Sequence, residues 1–250
     1  MTATSRTAVV TGAANGIGHA SALRLARDGF DIALVDRDAE GLAATATAVR
    51  ALGRRAEVCA IDCTDEAAIQ GAFASIDRAF GRVDVLFNNV GQGPRERSAE
   101  FLDADLSILD FLIDINLKTC VRCSHQVVAQ MRARRSGRII NVTSEAAFNG
   151  VLRNWNYAAV KSAVVGFTRA LSREMAPFQV TVNAIGPGAT NTRAIAQVPQ
   201  DLMAKVIAGI PMQRVAEPDE IASVVSFFAG PDSAYVTGQT LLVNGGNWML

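Results

Sequence analysis

The sequence predicts an α/β fold: a doubly wound, seven-stranded parallel sheet with helices on both faces. Short apolar runs rich in β-branched residues alternate with longer segments whose apolar positions recur at helical spacing. The seven runs are TAVVT, DIALVD, AEVCAID, VDVLFNN, RIINVTS, VTVNAIGPG and QTLLVNGG. Strands that alternate with helices are joined by right-handed crossovers, and strands that are apolar throughout are typical of a sheet buried on both faces.

We expect a single domain over residues 1–250. Half of the 250 residues are hydrophobic, which is enough for one large core, and no repeat, linker or low-complexity tract divides the chain. The intervening helical patterns include GHASALRLARDGF, DEAAIQGAFASIDRAFG and PDEIASVVSFFAG. Ligands of a doubly wound sheet bind outside the carboxyl ends of the strands, so a functional site is expected there.

The composition argues against several classes of partner. Basic and acidic residues number 24 each, so the chain has no basic footprint for a nucleic acid. Charges interrupt the apolar runs before they reach membrane-spanning length, and MTATSRTAVV lacks the regions of a secretion signal. We therefore expect a cytoplasmic protein with no nucleic-acid and no membrane partner.

The four cysteines do not form a disulfide framework in a chain of this length. The segment CVRC, which ends at Cys123 and precedes His125, has a spacing found in metal sites. It lies in a helical pattern, however, and no second ligand pair accompanies it. We expect no metal site and small, buried, apolar cysteines.

A glycine-rich turn follows the first predicted strand in AVVTGAANGIGHASALRLA. Glycine lets the backbone approach a pyrophosphate closely, and the N–H groups at a helix start supply donors and the positive end of the helix dipole. The predicted dinucleotide site therefore includes Gly12, Asn15, Gly16, Ile17 and Gly18. The spacing differs from the common G-x-G-x-x-G pattern.

Acidic residues after the second and third strands extend this predicted site. Asp36 ends the second run, where a carboxylate can accept both ribose hydroxyls of NAD and repel the 2′-phosphate of NADP. The adjacent Arg37 can stack on adenine or meet that phosphate, but Asp36 would then be an unpaired repulsive charge. NAD is therefore the expected cofactor and NADP the less favoured one. Asp38 can cap the helix that follows. Asp62 and Cys63, after the third run, are expected beside the adenine.

Two polar side chains share one face of a predicted helix in NWNYAAVKSAVVGF. Tyr157 and Lys161 are four residues apart, so their polar ends can meet in one small site, although a surface lysine beside an interfacial tyrosine has the same spacing. With TGAANGIG, with NNVG at 88–91, and with Ser144 thirteen residues before the tyrosine, the chain resembles the classical short-chain dehydrogenase/reductase family. The resemblance covers nearly the whole chain and implies a Rossmann-like fold.

The resemblance implies a catalytic role for four residues. Tyr157 resembles the general acid/base that takes the alcohol proton as hydride leaves for the nicotinamide. Lys161 is expected to lower the pKa of that phenol, together with the charge of the oxidised nicotinamide, and to hold the nicotinamide ribose. Ser144 resembles the residue that stabilises the substrate oxygen, and Asn116 the one whose helix distortion seats a water for a proton relay.

The resemblance also extends the cofactor site. Asn89 is similar to the residue that stabilises the central strands and lines the adenosine ribose. In NAIGPGATNT, Pro187 and Gly188 are expected to turn the backbone past the nicotinamide. Thr190 and Thr192 are expected to anchor the carboxamide, with transfer from the B face.

The resemblance implies a small-molecule alcohol or ketone as substrate. The expected walls of the substrate pocket are the loops after residues 91 and 144, a lid over about 189–212, and the C-terminal NWML. Apolar residues suit a secondary alcohol and its ketone; these are Phe148, Val151, Leu152, Trp155 and Met212. Guanidinium groups in the same loops offer an alternative, an anionic or acyl-thioester substrate; these belong to Arg95, Arg97, Arg153 and Arg193.

The leading hypothesis is therefore an NAD-dependent oxidoreductase acting on a secondary alcohol. The alternative is a 3-oxoacyl thioester reductase using NADP. Asp36 counts against this alternative because such enzymes usually favour NADP, and Phe178 counts against it because they commonly carry a basic residue at that position. Arg135, on the other side of the proposed docking surface, counts for it. A catalytically inactive cofactor-binding subunit is the least favoured hypothesis. Such proteins typically lack one of the catalytic residues, whereas Tyr157, Lys161 and Ser144 are all present here.

Two long predicted helices, at about 104–134 and 155–176, have more apolar surface than one sheet can cover. In relatives such helices pair across subunits into a four-helix bundle. We therefore expect a homotetramer built from two-fold contacts.

Overall fold

The computed structural model describes residues 6–94, 97–193, 195 and 198–250. Its centre is a seven-stranded sheet in the order β3-β2-β1-β4-β5-β6-β7, in which every pair of neighbours is parallel. The strands are β1 (Arg6–Thr11), β2 (Phe30–Asp36), β3 (Ala56–Ala60), β4 (Val85–Asn88), β5 (Gly137–Val142), β6 (Val180–Pro187) and β7 (Thr240–Val243). The predicted doubly wound parallel sheet is confirmed.

Helices cover both faces of the sheet. They are α1 (Gly16–Arg27), α2 (Ala39–Ala51), α3 (Glu66–Phe80), α4 (Ser107–Leu112), α5 (Thr119–Arg134), α6 (Ala146–Asn149), α7 (Trp155–Met175), α8 (Gln200–Gly209) and α9 (Pro218–Ala229). Short 3₁₀ turns span Phe101–Asp103, Ala176–Phe178 and Pro231–Ser233. Helices α1, α2 and α9 pack on one face, and α3, α5 and α7 on the other.

The apolar strands divide their side chains between the two cores. On β1, Ala8 and Val10 enter the core beneath α1, while Val9 enters the opposite one. Because successive residues of a strand point to opposite faces, burial on both sides requires a continuous apolar run. All four cysteines are free thiols buried in the fold, as expected. None of the helices within the described residues has the length and hydropathy needed to cross a membrane.

The helix predicted over about 104–134 is interrupted. Between α4 and α5 the backbone forms a π-helical segment, Ile113–Lys118. Directly after it, the hydroxyl of Thr119, the first residue of α5, donates to the Asp114 carbonyl five residues earlier, at 3.0 Å. The widened turn lies at the carboxyl edge of the sheet, and it contains Asn116.

Candidate active site

The sheet reverses its winding between β1 and β4, and the predicted glycine turn lies at this point. Gly12 and Gly16 both have positive φ, at 67° and 52°. A Cβ atom on Gly18 would lie 1.9 Å from the Gly12 carbonyl oxygen, so the turn cannot close with any other residue there. Ile17 packs partly against the core.

The turn fits the pyrophosphate of a dinucleotide. Asn15 is the N-cap of α1, but its side chain makes no capping hydrogen bond within the part of the chain described. The first N–H groups of α1 therefore keep their donors and the positive dipole end for an anion. Asn89 braces the turn from β4, because its amide donates to the carbonyls of Thr11 and Gly12 at 3.1 Å each.

Thr11 is a bracing residue that the sequence analysis missed. Its buried hydroxyl oxygen accepts the N–H groups of Asn89 and Val90 at 3.0 and 3.2 Å, and the hydroxyl lies 3.4 Å from the Phe87 carbonyl. The ends of β1 and β4 are thereby held together. A threonine at the end of an apolar strand gives no distinct sequence signal, because it also fits the strand pattern.

Asp36 lies at the end of β2, beside the glycine turn. Its two carboxylate oxygens accept the N–H groups of Ala14 and Asp38, each at 3.1 Å, and the side chain is partly exposed. Fixed in this way, the carboxylate keeps further lone pairs for hydroxyl groups. As predicted, Asp38 caps α2, by accepting the Gly41 N–H at 2.9 Å.

The predicted adenine contacts are partly occupied by the protein itself. Asp62 accepts the N–H and the hydroxyl of Thr64, both at 2.8 Å; these bonds lower the pKa of Asp62, and the charge of Arg37 adds to the effect. Cys63 is buried, and its carbonyl accepts the Thr119 hydroxyl at 3.1 Å.

Ser144, Tyr157 and Lys161 meet where β5 ends and α7 begins. The Ser144 side chain lies within hydrogen-bonding reach of the Tyr157 side chain, and its hydroxyl oxygen accepts the Ala146 N–H at 3.2 Å. The Lys161 ammonium donates to the Val142 carbonyl at 2.9 Å and lies 5.7 Å from the centre of the Tyr157 ring. The Thr143 hydroxyl donates to the Lys161 carbonyl at 2.8 Å, which ties the strand end to the helix. The structure therefore places the three side chains together.

Burial acts on the two titratable groups in opposite directions. It raises the pKa of Tyr157 to about 12, and the hydrogen bond to Ser144 offsets only part of this. It also lowers the pKa of Lys161 to about 8. In the protein alone, loss of solvation is the largest influence on the pKa of the phenol. The acidification by Lys161 and the charge of an oxidised nicotinamide stays a prediction for the complex.

Asn116 is buried in the π-helical segment, and its side-chain amide both donates a hydrogen bond to the backbone of Gln92 and accepts one from it. Its amide nitrogen donates to the carbonyls of Gln92 and Leu112 at 2.9 and 3.0 Å, and its oxygen accepts the Gln92 N–H at 3.1 Å. A Cβ atom on Gly91 would lie 2.5 Å from the Asn116 oxygen and 3.1 Å from the Lys161 ammonium. Glycine is thus required beside the lysine, a role the sequence analysis did not assign to it.

The segment after β6 crosses the carboxyl edge of the sheet. The Gly188 N–H donates to the Val243 carbonyl at 3.0 Å, and the Thr190 hydroxyl donates to the Gly188 carbonyl at 3.1 Å. Thr192 faces the glycine turn, since a Cβ atom on Gly16 would lie 3.2 Å from its methyl group. The segment therefore runs along the carboxyl edge of the sheet from Pro187, where β6 ends, to Thr192, beside the glycine turn.

Exposed apolar side chains surround the candidate site. The exposed fractions are 72% for Phe101, 87% for Leu152 and 66% for Met212. Phe101 packs edge-on against Trp155, with ring centres 4.9 Å apart. Together these residues form an apolar rim, which comprises Phe101, Leu152, Trp155 and Met212.

The arginines predicted near the pocket differ in their contacts. The Arg97 guanidinium lies 4.8 Å above the Phe111 ring, and that of Arg193 pairs with Asp38 at 3.3 Å. Arg153 is exposed on a backbone with φ of 63°. Arg95 lies outside the described residues.

Comparison with known proteins identifies the family. Residues 12–247 match the family described as enoyl-(acyl carrier protein) reductase. The chain is 39% identical over 246 residues to the short-chain reductase protein NovJ of Streptomyces niveus, covering 96% of this chain and 92% of NovJ. It is 37% identical over 243 residues to the 3-oxoacyl-(acyl-carrier-protein) reductase FabG of Vibrio harveyi, covering 97% of each.

Comparison of the fold with solved structures points to the same family. A crystal structure of NAD⁺-bound xylitol dehydrogenase matches it with a TM-score of 0.89 and 33% identity, over 96% of this chain and 98% of that one. The glycine turn at the switch point, the paired tyrosine and lysine, and these matches agree. The chain belongs to the short-chain dehydrogenase/reductase family of nicotinamide-dependent oxidoreductases.

Proposed function

We propose that the protein is an NAD-dependent oxidoreductase that interconverts a secondary alcohol and a ketone, with Tyr157 as general acid/base. The observation that carries this proposal is the meeting of Tyr157, Ser144 and Lys161 where β5 ends, at the same carboxyl edge of the sheet as the glycine turn. A bound nicotinamide supplies or accepts the hydride. The side chains of the protein must then move one proton and stabilise one oxygen.

Each side chain has a distinct part in this proposal. Tyr157 exchanges its hydroxyl proton with the substrate oxygen, and Ser144, which lies beside that phenol, donates a hydrogen bond to the same oxygen. The Lys161 ammonium, held by the Val142 carbonyl, binds the nicotinamide ribose and favours the phenolate. Asn116 holds the backbone at Gln92 close to Lys161, and in this proposal its distorted helix turn seats the water of a proton relay through Lys161.

The charges near the adenosine end support NAD over NADP. Asp36 presents a fixed carboxylate where the ribose hydroxyls would bind, and a 2′-phosphate there would meet a like charge. The charge of Arg37 also acts on the Asp62 carboxylate and adds to the lowering of its pKa, so a 2′-phosphate would not be its only anionic neighbour. Initial rates with NADH and NADPH at equal concentration test this preference.

Oxidation of 1-phenylethanol and cyclohexanol with NAD⁺, and reduction of acetophenone and cyclohexanone with NADH, test the proposed reaction. The apolar rim supports an aryl or cyclic substrate, because exposed apolar surface at the mouth of a site is typical of a binding surface. We expect turnover of at least one pair in both directions. The absence of turnover with all four compounds would contradict the proposal.

A second candidate is the reduction of a 3-oxoacyl thioester. The guanidinium of Arg132 lies 4.2 Å above the Phe178 ring and so brings a positive charge to the position that the sequence analysis found to lack one. The similarity to FabG points the same way. Acetoacetyl-N-acetylcysteamine with NADH or NADPH distinguishes the candidates, since the second predicts faster turnover of this thioester than of the simple ketones.

Two further features belong to the proposal. Helix α8, in the proposed lid at about 189–212, has no buried residue, which suits a segment that closes over substrate. A cleft of about 510 Å³ between α5 and α7 is lined largely by apolar residues, including Val128, Leu171 and Met175, and it supports the pairing of these helices in a homotetramer. Sedimentation analysis tests the assembly, and a monomer at micromolar concentration would contradict it.

A further inference from the structure

The residue after Ser144 makes contacts that the proposed reaction does not use. The Glu145 carboxylate accepts hydrogen bonds from two amides near the C-terminus. Asn244 donates to one oxygen at 3.0 Å, and Asn247 lies 3.1 Å from both. One carboxylate therefore ties the segment after β7 to the end of β5, about 100 residues earlier in the chain.

The same residue also contacts the turn after β6. Its N–H donates to the Pro187 carbonyl at 3.1 Å. A Cβ atom on Gly188 would lie 3.3 Å from the Glu145 carboxylate and 2.8 Å from the Cβ of Asn244. Glu145 thus lies where three segments meet: the end of β5 with Ser144, the Pro187–Gly188 turn, and the C-terminal segment.

The C-terminal segment in turn holds the end of the proposed lid. The Asn244 amide also donates to the Trp248 carbonyl at 2.9 Å, and the Met212 N–H donates to the Gly245 carbonyl at 3.2 Å. A Cβ atom on Gly245 would lie 2.8 Å from Ile210, so the turn and the lid are in close contact. A shift of Asn244 is therefore transmitted to both Met212 and Trp248.

We propose that Glu145 is a positioning residue for substrate binding, which holds the C-terminal segment and Met212 as one wall of the pocket beside Ser144. The inference rests on the proposed function in that Ser144 binds the substrate oxygen. Glu145 acts through Asn244 and Asn247. A carboxylate suits this position because it only accepts hydrogen bonds, and all of its incoming partners are amide donors.

Because the amides donate and the carboxylate accepts, the role of Glu145 can be tested by moving its negative charge from position 145 to position 247. In Glu145→Gln the side chain keeps its shape but turns an amide NH₂ towards donors. In Asn247→Asp two carboxylates face each other. The double variant Glu145→Gln/Asn247→Asp restores the pairing, because the glutamine oxygen accepts from Asn244 and its NH₂ donates to the new aspartate.

Each single variant is expected to raise KM for 1-phenylethanol or cyclohexanol about tenfold, with kcat and the NAD⁺ dissociation constant within about twofold. The double variant is expected to recover most of the loss in KM. If the Glu145 charge took part in catalysis itself, Glu145→Gln would lower kcat, and moving the charge to position 247 would not restore it. Glu57→Gln is the matched control, since Glu57 accepts a bond from Ser75 on β3 and α3, away from the site.

Hydrogen–deuterium exchange without substrate gives a second readout that does not depend on turnover. We expect faster exchange over residues 243–250 in both single variants, wild-type rates in the double variant and in Glu57→Gln, and no change over 137–142. Unchanged exchange in Glu145→Gln, or a double variant no better than the singles, would overturn the inference. A wild-type protein inactive on every probe would contradict only the proposed function, and exchange would still decide the role of Glu145.

Discussion

The centre of the candidate site and its apolar rim are built differently. In the centre, Asn116 and Lys161 are buried and bonded to backbone carbonyls. In the rim, Phe101 and Leu152 are mostly exposed on connecting segments. The residues proposed to transfer the proton are therefore fixed by packed elements, whereas the residues proposed to select the substrate are not constrained by the core.

The largest effect is expected at the centre. Tyr157→Phe removes the only proton that the proposal moves, so kcat should fall by at least about 10³-fold. The dissociation constant of NADH, measured by fluorescence titration, should stay within about threefold, because the ring still packs in place. Tyr235→Phe is the control, since Tyr235 is fully exposed. A Tyr157→Phe protein with near wild-type turnover would remove the distinction between centre and rim.

Lys161→Met should lower kcat by about 10²-fold and yet stabilise the protein at neutral pH. Burial lowers the pKa of Lys161 to about 8, whereas the unfolded chain titrates near 10.4. Between these values the unfolded state binds more protons, so the free energy of unfolding of the wild type rises with pH, by up to about 3 kcal/mol.

Chemical denaturation at pH 7 and at pH 10 measures this effect. Met at position 161 does not titrate, so the gain in stability over the wild type should be largest at pH 7 and shrink as the pH approaches 10. A Lys161→Met protein less stable than the wild type at pH 7 would show that the ammonium is better solvated than its burial indicates.

Asp36→Ala should have a smaller, selective effect. Loss of the carboxylate removes the acceptors proposed for the ribose hydroxyls and the repulsion of a 2′-phosphate, so KM for NAD⁺ should rise about tenfold and the preference over NADP⁺ should narrow. The ratio of kcat/KM for the two cofactors measures the change. An unchanged ratio would show that Asp36 does not contact the ribose.

The smallest effect is expected at the rim. Leu152→Ser should raise KM for 1-phenylethanol by about threefold, because little apolar area is removed from an exposed position. Its free energy of unfolding should stay within about 0.5 kcal/mol of the wild-type value. A large loss of kcat or stability in this variant would mean that the rim is part of the rigid centre.

The parts of the molecule that could be predicted from sequence are those with a local pattern. Buried strands such as β2 are apolar throughout, and Asp36 and Tyr157 stand at recognisable positions in strand and helix. The interruption of the helix at Asn116 was expected only through the resemblance, because no residue of IDINLK breaks a helix.

The parts that could not be predicted depend on contacts between distant segments. Gly91 lies so close to Asn116 and Lys161 that a larger residue there would displace one of them. The Glu145 carboxylate accepts hydrogen bonds from amides about 100 residues away. The raised pKa of the phenol in the protein alone could not be predicted either, because the sequence does not show how far Tyr157 is removed from solvent.

Titration of the Tyr157 phenol, with and without cofactor, tests whether Tyr157 is the general acid/base. The chain has two tyrosines, so in Tyr235→Phe the absorbance of phenolate reports on Tyr157 alone. Without cofactor, no phenolate should form below about pH 10, because burial raises the pKa. With saturating NAD⁺, phenolate should form below about pH 8 as positive charge is brought to the site. A titration that NAD⁺ leaves unchanged would contradict the assignment of Tyr157 as acid/base.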